Sequence, residues 1–276
     1  MGNILRDLIL FSALSFLPYF AHGEEANQRV SLARGTLVIP SYPARSIAKD
    51  VYCDLVKEEW GWSTCENIDA MIYTATNGID TVIVNKPTND GYVEFDDWES
   101  SDKDEAINEI EAALRASVEA QSKATGDQIS LEGWHTYPSL DQDAQLMIYA
   151  TKLLWDGESI VNITATKFDR YGYVEFSFVP DDPNLSESSV YSLVSDTLKN
   201  YESEQTTSYA SFTTGDKVAA AGALGVLATL VGVKYGKGFL AAAFAVILVF
   251  LKKAWIVVLL PFYWIGKKLF SRKTDE

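Results

Sequence analysis

The sequence predicts an α+β fold: an antiparallel sheet built from two β-β-β-α units with helices on one face, followed by C-terminal transmembrane helices. Three observations lead there. Short motifs recur in the same order in two parts of the chain, each part reads as β-rich runs followed by a helical period, and residues 217–270 are dominated by apolar runs. The recurring motifs are Gly61-Trp62-Ser63-Thr64 with Gly133-Trp134-His135-Thr136, then Met71-Ile72-Tyr73-Thr74-Ala75 with Met147-Ile148-Tyr149-Ala150-Thr151. The third is Gly91-Tyr92-Val93-Glu94-Phe95, repeated identically as Gly172-Tyr173-Val174-Glu175-Phe176. They delimit repeat units 61–122 and 133–201 inside an ectodomain spanning 24–201.

Taken in order, residues 1–23 read as a secretory signal. Arg6 supplies the charged start, 8–17 the apolar stretch, and Ala21-His22-Gly23 the small residues of a cleavage site. Whether cleaved or retained as an anchor, this segment places 24–216 outside an inner membrane. Residues 30–39 read as a strand or hairpin arm ended by Pro40 and Pro43. Residues 46–60 read as an amphipathic helix with Ile47, Val51, Leu55 and Val56 inward and Ser46 as its cap. That helix carries Cys53 toward Cys65. These are the only cysteines, both in the exported region, so they are expected to pair. Closing so short a loop stabilises by about 3 kcal/mol on the loop-entropy account.

The first unit gives strands at 70–75 and 81–85 across the turn Thr76-Asn77-Gly78, a third strand at 92–95, and a helix over 104–122. Ile107, Ile110, Leu114 and Val118 form that helix's apolar face. Ser101 or Asp102 can cap it, ahead of an acidic first turn. The second unit gives strands at 145–154, 159–167 and 172–179, then a helix at 187–201 with Val190, Leu193, Val194 and Leu198 inward. Residues 202–216 read as a polar linker.

The apolar runs are 218–233, 239–251 and 254–266, with no acidic residue between Asp216 and Asp275. A bilayer core of about 30 Å needs roughly 20 apolar residues in a helix. Each run is therefore short, and 217–270 is expected to embed as hairpin-like elements with lipid as partner. The last run either spans or lies in the interface, where Trp255, Tyr263 and Trp264 would sit. Residues 271–276 form a charged tail.

Charge divides the chain in the same place. The net charge is −15, with 13 Lys and Arg against 35 Asp and Glu in 24–216, and 9 against 2 in 217–276. So acidic an ectodomain repels phosphate backbones, which excludes nucleic acid as a partner. The basic tail suits a cytoplasmic leaflet.

Few residues can carry chemistry. His135 is the only histidine after the signal segment, so zinc sites of several His or Cys ligands are excluded, and neither metal nor cofactor is expected. Asp96-Asp97 and Asp181-Asp182 could offer oxygens to calcium, but the Asp-x-Asp-x-Asp-Gly pattern is missing and they read as turn acids. No Gly-x-Ser-x-Gly elbow or phosphate loop is present. The candidate ligand or partner surface is Asp96, Asp97, Trp98, Trp134, His135 and Arg170. Two other readings stay open: a membrane-bound envelope hydrolase working through Glu94, Asp96 or Asp97, and a small-ligand sensor with its groove between the two units.

Over residues 30–260 the chain resembles a bacterial family of uncharacterised membrane-anchored proteins with a domain of unknown function, found mostly in Gram-negative species. The passages that carry the likeness are Gly91-Tyr92-Val93 with Asp96-Asp97-Trp98, Gly133-Trp134 with Pro138, Asn162 and Arg170-Tyr171-Gly172. Tyr209-Ala210-Ser211-Phe212 and the junction Gly215-Asp216-Lys217-Val218-Ala219-Ala220 complete them. The resemblance implies a periplasmic α+β ectodomain anchored in the inner membrane, without catalytic residues to carry over. The expected function is a non-enzymatic domain that binds a protein or another envelope component.

Overall fold

Alternation of side chains along β7 (Leu146–Trp155) shows how the molecule is layered. Ile148 and Ala150 point into one core, and Met147 and Tyr149 into another. The sheet between them is covered on both faces. The computed structural model describes residues 27–233, apart from 41–43, 60–63, 77–78, 181 and 183. The signal segment, the Asn77-Gly78 turn, the Gly61-Trp62-Ser63 motif, Asp181 and the apolar runs beyond 233 lie outside the described residues.

A hairpin of β1 (Gln28–Leu32) and β2 (Gly35–Ile39) opens the chain, as its alternation predicts. β3 (Arg45–Ile47) follows, then α1 (Lys49–Asp54), which runs on as a π-helical turn over Leu55–Glu59. The expected helix over 46–60 is therefore shorter. Its first residues pair with the neighbouring strand, Ser46 opposite Ile72, and Ser46 caps nothing. Val51 is 56% exposed, and Tyr52 takes the inward place beside Val56. Cys53 and Cys65 form the expected disulfide, with a Cα–Cα separation of 5.2 Å.

β4 (Ile68–Thr76) and β5 (Ile79–Asn85) pair as expected, and α2 (Lys103–Thr125) ends at Gly126, whose φ of +85° suits a left-handed cap. β6 (Ile129–Asp141), β7, β8 (Glu158–Asp169) and β9 (Gly172–Pro180) form an antiparallel meander. α3 (Glu187–Leu198) is capped by the Ser186 hydroxyl, which accepts from the Ser189 amide. β10 (Tyr201–Ser203) then returns to pair with β2. The strands make a seven-stranded sheet, β3-β4-β5-β9-β8-β7-β6, and a three-stranded sheet, β1-β2-β10.

The two-unit scheme fails at one element. Residues 92–95 form no strand in the large sheet; Tyr92 instead bridges to Val218. The two Gly-Tyr-Val-Glu-Phe copies thus adopt different structures, since only 172–176 pairs along its length with a neighbouring strand, β8, and meets β5 at Phe176. The helices also divide between faces. α3 and the small sheet cover Val161, Ile163, Phe176 and Phe178, whereas α2 covers Met147 and Tyr149 on the other side.

Residues 202–216 are knitted into the domain. Tyr209 stacks against Phe95 at 5.0 Å and Tyr92 at 4.3 Å, and its hydroxyl donates to the Val93 carbonyl at 2.7 Å. The run 218–233 folds here too. Its α4 (Ala223–Leu230) buries Ala223, Leu224, Gly225, Val226, Leu227 and Ala228 against α2 and the loop before it. Its small residues give close packing against protein. Among the described residues no helix is long and apolar enough to cross a membrane.

A buried ion pair joins the two sheets. Arg34, at the β1–β2 turn, places Nη1 2.6 and 2.5 Å from the two carboxylate oxygens of Asp169 at the end of β8, with side chains 7% and 6% exposed. Its Nη2 donates to the Thr88 carbonyl and to Asn89 Oδ1. Asp169 Oδ1 also accepts from the Tyr171 amide at 2.7 Å, so this carboxylate is held by several donors. Removing one member of such a pair leaves an uncompensated buried charge, at about 3–5 kcal/mol. Arg34→Ala should therefore lower the unfolding free energy by about that amount. Urea denaturation followed by tryptophan fluorescence checks it, and a loss below about 1 kcal/mol, the scale of a surface pair, would show that the pair does not tie the sheets.

Candidate functional site

The sequence-predicted residues do not converge. Asp97 and Trp98 lie in the loop after β5, and Trp98 is buried in the cluster that contains α2 and α4. Trp134, on β6, borders the same cluster and meets Tyr149 edge-on at 5.8 Å. His135 points to the opposite face, with Nε2 2.7 Å from the Leu185 carbonyl and Nδ1 3.2 Å from Thr136 Oγ1. The Nε2 contact needs the proton on that nitrogen and ties β6 to the start of α3. Asp96 and Glu94 are exposed. Arg170 is engaged in a clasp at the β8–β9 turn, away from Leu185.

Asp97 has a local task. Its Oδ2 accepts from the Leu224 amide at 3.0 Å, at the first turn of α4, and a Cβ on Gly222 would lie 2.5 Å from its carboxyl carbon. Only glycine lets the chain enter the helix so close to that carboxylate. Burial pushes the Asp97 carboxyl above its ordinary range, and this outweighs the opposing pull of the Leu224, Ala223, Gly225 and Trp98 amides. Oδ1 has no hydrogen-bond partner among the described residues.

Arg170 and Asp216 form the clasp. Nε and Nη2 each lie 2.8 Å from one carboxylate oxygen, and the Thr213 amide donates to Oδ2 at 2.7 Å. The Arg170 hydrogen bonds, then the Thr213 amide, take the Asp216 carboxyl from 3.8 down to about 2. Next to the clasp, Gly91 has φ +114°, and a Cβ there would sit 2.7 Å from the Lys217 carbonyl. This close approach lets the Tyr92 amide donate to Lys217 O at 2.8 Å.

The concave feature lies elsewhere. A cleft of about 1130 Å3 opens on the α2 face of the large sheet. Leu114 and Val118 of α2 and Leu230 and Val231 at the end of α4 form its walls. Its floor has an apolar row, Leu131, Leu153 and Ile160, and beside it a polar seam, Thr151, Asn162, Thr164 and Ser177. Register makes the seam continuous: Thr151 faces Asn162, and Thr164 faces Ser177. The Tyr149 phenol is hydrogen-bonded to Thr164, and burial raises its pKa. Ser177 is hydrogen-bonded to Glu175, whose carboxyl burial pushes up. Trp155, Asp156 and Glu158 stand at the mouth.

None of the sequence-predicted surface residues lines this cleft. The signal for it was alternation of polar residues along β8 and β9, Asn162, Thr164 and Thr166, then Glu175 and Ser177, within a face that helices otherwise cover. Among the described residues no group of three His, Cys, Asp or Glu could hold a metal ion.

The molecule is an α+β protein in which two antiparallel sheets enclose one core and a helix-walled cleft opens on the far face. It belongs to the family described as protein of unknown function DUF2167, whose profile matches residues 24–263. Comparison with curated proteins gives no match. Among solved structures, the chain is similar to the solution structure of cyanobacterial PsbP (CyanoP) from Synechocystis sp. PCC 6803. The identity is 11% over 68% of this chain and 98% of that one, with a TM-score of 0.38.

The two carboxylates predict opposite pH effects. Asp216 has a depressed folded-state pKa, so its contribution is present above 3.8 and lost as pH falls toward about 2. Asp97 has a raised one, so stability falls as pH rises from the ordinary aspartate value through its elevated value. Asp216→Asn should flatten the acid limb of a plot of urea midpoint against pH. Asp97→Asn keeps an oxygen for the Leu224 amide and should raise the midpoint above that window. Parallel profiles for wild type and both variants would contradict these assignments.

Proposed function

We propose that the protein is a binding module tethered to the inner membrane of a Gram-negative bacterium, with its α+β domain in the periplasm. The observation that carries the binding role is the cleft, whose volume, apolar walls and few converging polar groups are those of a ligand site. Three features support the address. The Cys53–Cys65 disulfide suits an oxidising compartment, residues 1–23 have the pattern of an export signal, and beyond Val233 the apolar runs 239–251 and 254–266 supply material for the tether. The partner is a component of the envelope, and the acidic surface disfavours nucleic acid.

The hydrolase reading finds less support. Asp97 is committed to the first turn of α4, and Glu94 and Asp96 are exposed. A water-activating pair would instead have to be assembled outside the cleft.

Fractionation tests the tether. Full-length protein should remain in the pellet after alkaline carbonate extraction, and its ectodomain should be cut by protease added to spheroplasts but not to intact cells. Deletion of residues 234–276 should release the protein into the soluble periplasmic fraction. Full-length protein in the carbonate supernatant would defeat the proposal.

A further inference from the structure

We infer that the cleft takes an uncharged amphiphile: an alkyl or acyl chain bearing hydroxyl or amide groups, the chain against the apolar row and those groups on the polar seam. This deepens the binding-module reading and rests on it. The floor reaches from Leu131 on β6 to Ile83 on β5. That crosses four inter-strand spacings, about 19 Å at about 4.8 Å each, which suits an extended molecule. The apolar row spans β6 to β8 and the polar seam β7 to β9, so the two lie side by side on β7 and β8. Leu131 faces Leu153, which faces Ile160, and one ladder step away Thr151 faces Asn162. A ligand with one greasy and one hydrogen-bonding edge matches that division.

The seam has capacity to spare. Asn162 is exposed on the floor, and its side chain makes no hydrogen bond among the described residues, leaving two donors and an acceptor. Charge selects against an acid. Among the described residues, the charged ones lining the cleft are Asp156 and Glu158, both at the mouth, and neither Lys nor Arg lines it. A carboxylate or phosphate headgroup would enter without a counter-charge, past two like charges. Burial raises the Glu175 carboxyl behind Ser177 above its ordinary value, against the pull of the Asn85 and Ser177 hydrogen bonds. The same polar seam argues against an apolar helix of this chain as occupant, because Asn162 would lose water without gaining a partner.

The test is calorimetric titration of the full chain, held in amphipol free of detergent, with 1-monolauroylglycerol and with laurate at pH 8. The expected result is saturable one-to-one binding of the glycerol ester and at least tenfold weaker binding of the anion. Asn162→Trp fills the cleft from an exposed floor position, and it should weaken the ester at least tenfold with unchanged melting temperature. Should that variant fold poorly, the near-isosteric pair Thr151→Val and Ser177→Ala removes hydroxyls only, and should weaken the ester several-fold. The proposal is overturned by absence of saturable binding, by laurate binding as tightly as the ester, or by heats unchanged in the variants, which would mean partition into the apolar tail. A protein that resists carbonate extraction yet gives any of those results loses the ligand class and keeps the tether.

Discussion

Arg34 and Asp169 impose the condition under which the two sheets can coexist. Both side chains are buried, and each is held by the other together with Thr88, Asn89 and the Tyr171 amide. A half-formed version would strand a charge in a low dielectric, so the arrangement is close to all-or-none. The consequences run outward. Tyr171 lies beside both guanidiniums, 5.6 Å from Arg34 and 5.2 Å from Arg170. Arg170 holds Asp216, and the next residue, Lys217, gives its carbonyl to Tyr92. From there the chain enters α4, whose far end is a wall of the cleft. A short series of contacts thus links the first hairpin to the cleft.

Local periodicity made much of the scaffold legible. The hairpin at 30–39, the β4–β5 pair, α2, the β7–β9 meander and the inward face of α3 all follow from residue alternation over windows shorter than an element. What escaped was set by distant partners. Gly-Tyr-Val-Glu-Phe reads equally as a strand at both places it occurs, and only the presence of β8 beside 172–176 decides the matter. The Arg34–Asp169 pair is separated by 135 residues, so no spacing rule could bring it to notice.

The same limit explains the candidate surface. Asp97, Trp98, Trp134, His135 and Arg170 stood out for residue type, and each is occupied with structure: a helix start, a core, a strand-to-helix tie and a clasp. Hydropathy alone also does not reveal that Ala223–Leu230 packs on the domain, because burial against protein and burial in lipid place the same demand on composition. The distinguishing contact is Asp97 to Leu224, across 127 positions. Conversely, the threonines, asparagine and serine of the cleft floor looked ordinary, since alternate polar residues are what any half-exposed strand carries.

β2 lies between β1 and β10, so the amino-terminal hairpin finishes its sheet with residues near the end of the domain, as in the Arg29–Glu202 ion pair 173 positions apart. Synthesis delivers the hairpin first, and its third strand emerges only after all the strands of the large sheet. Until then the free edge of β2 has no strand partner, and closure must bridge most of the polypeptide, the kind of topology that slows folding. The earliest element of the chain is thus among the last to be completed, and the free edge of β2 stays open to other strands until β10 arrives.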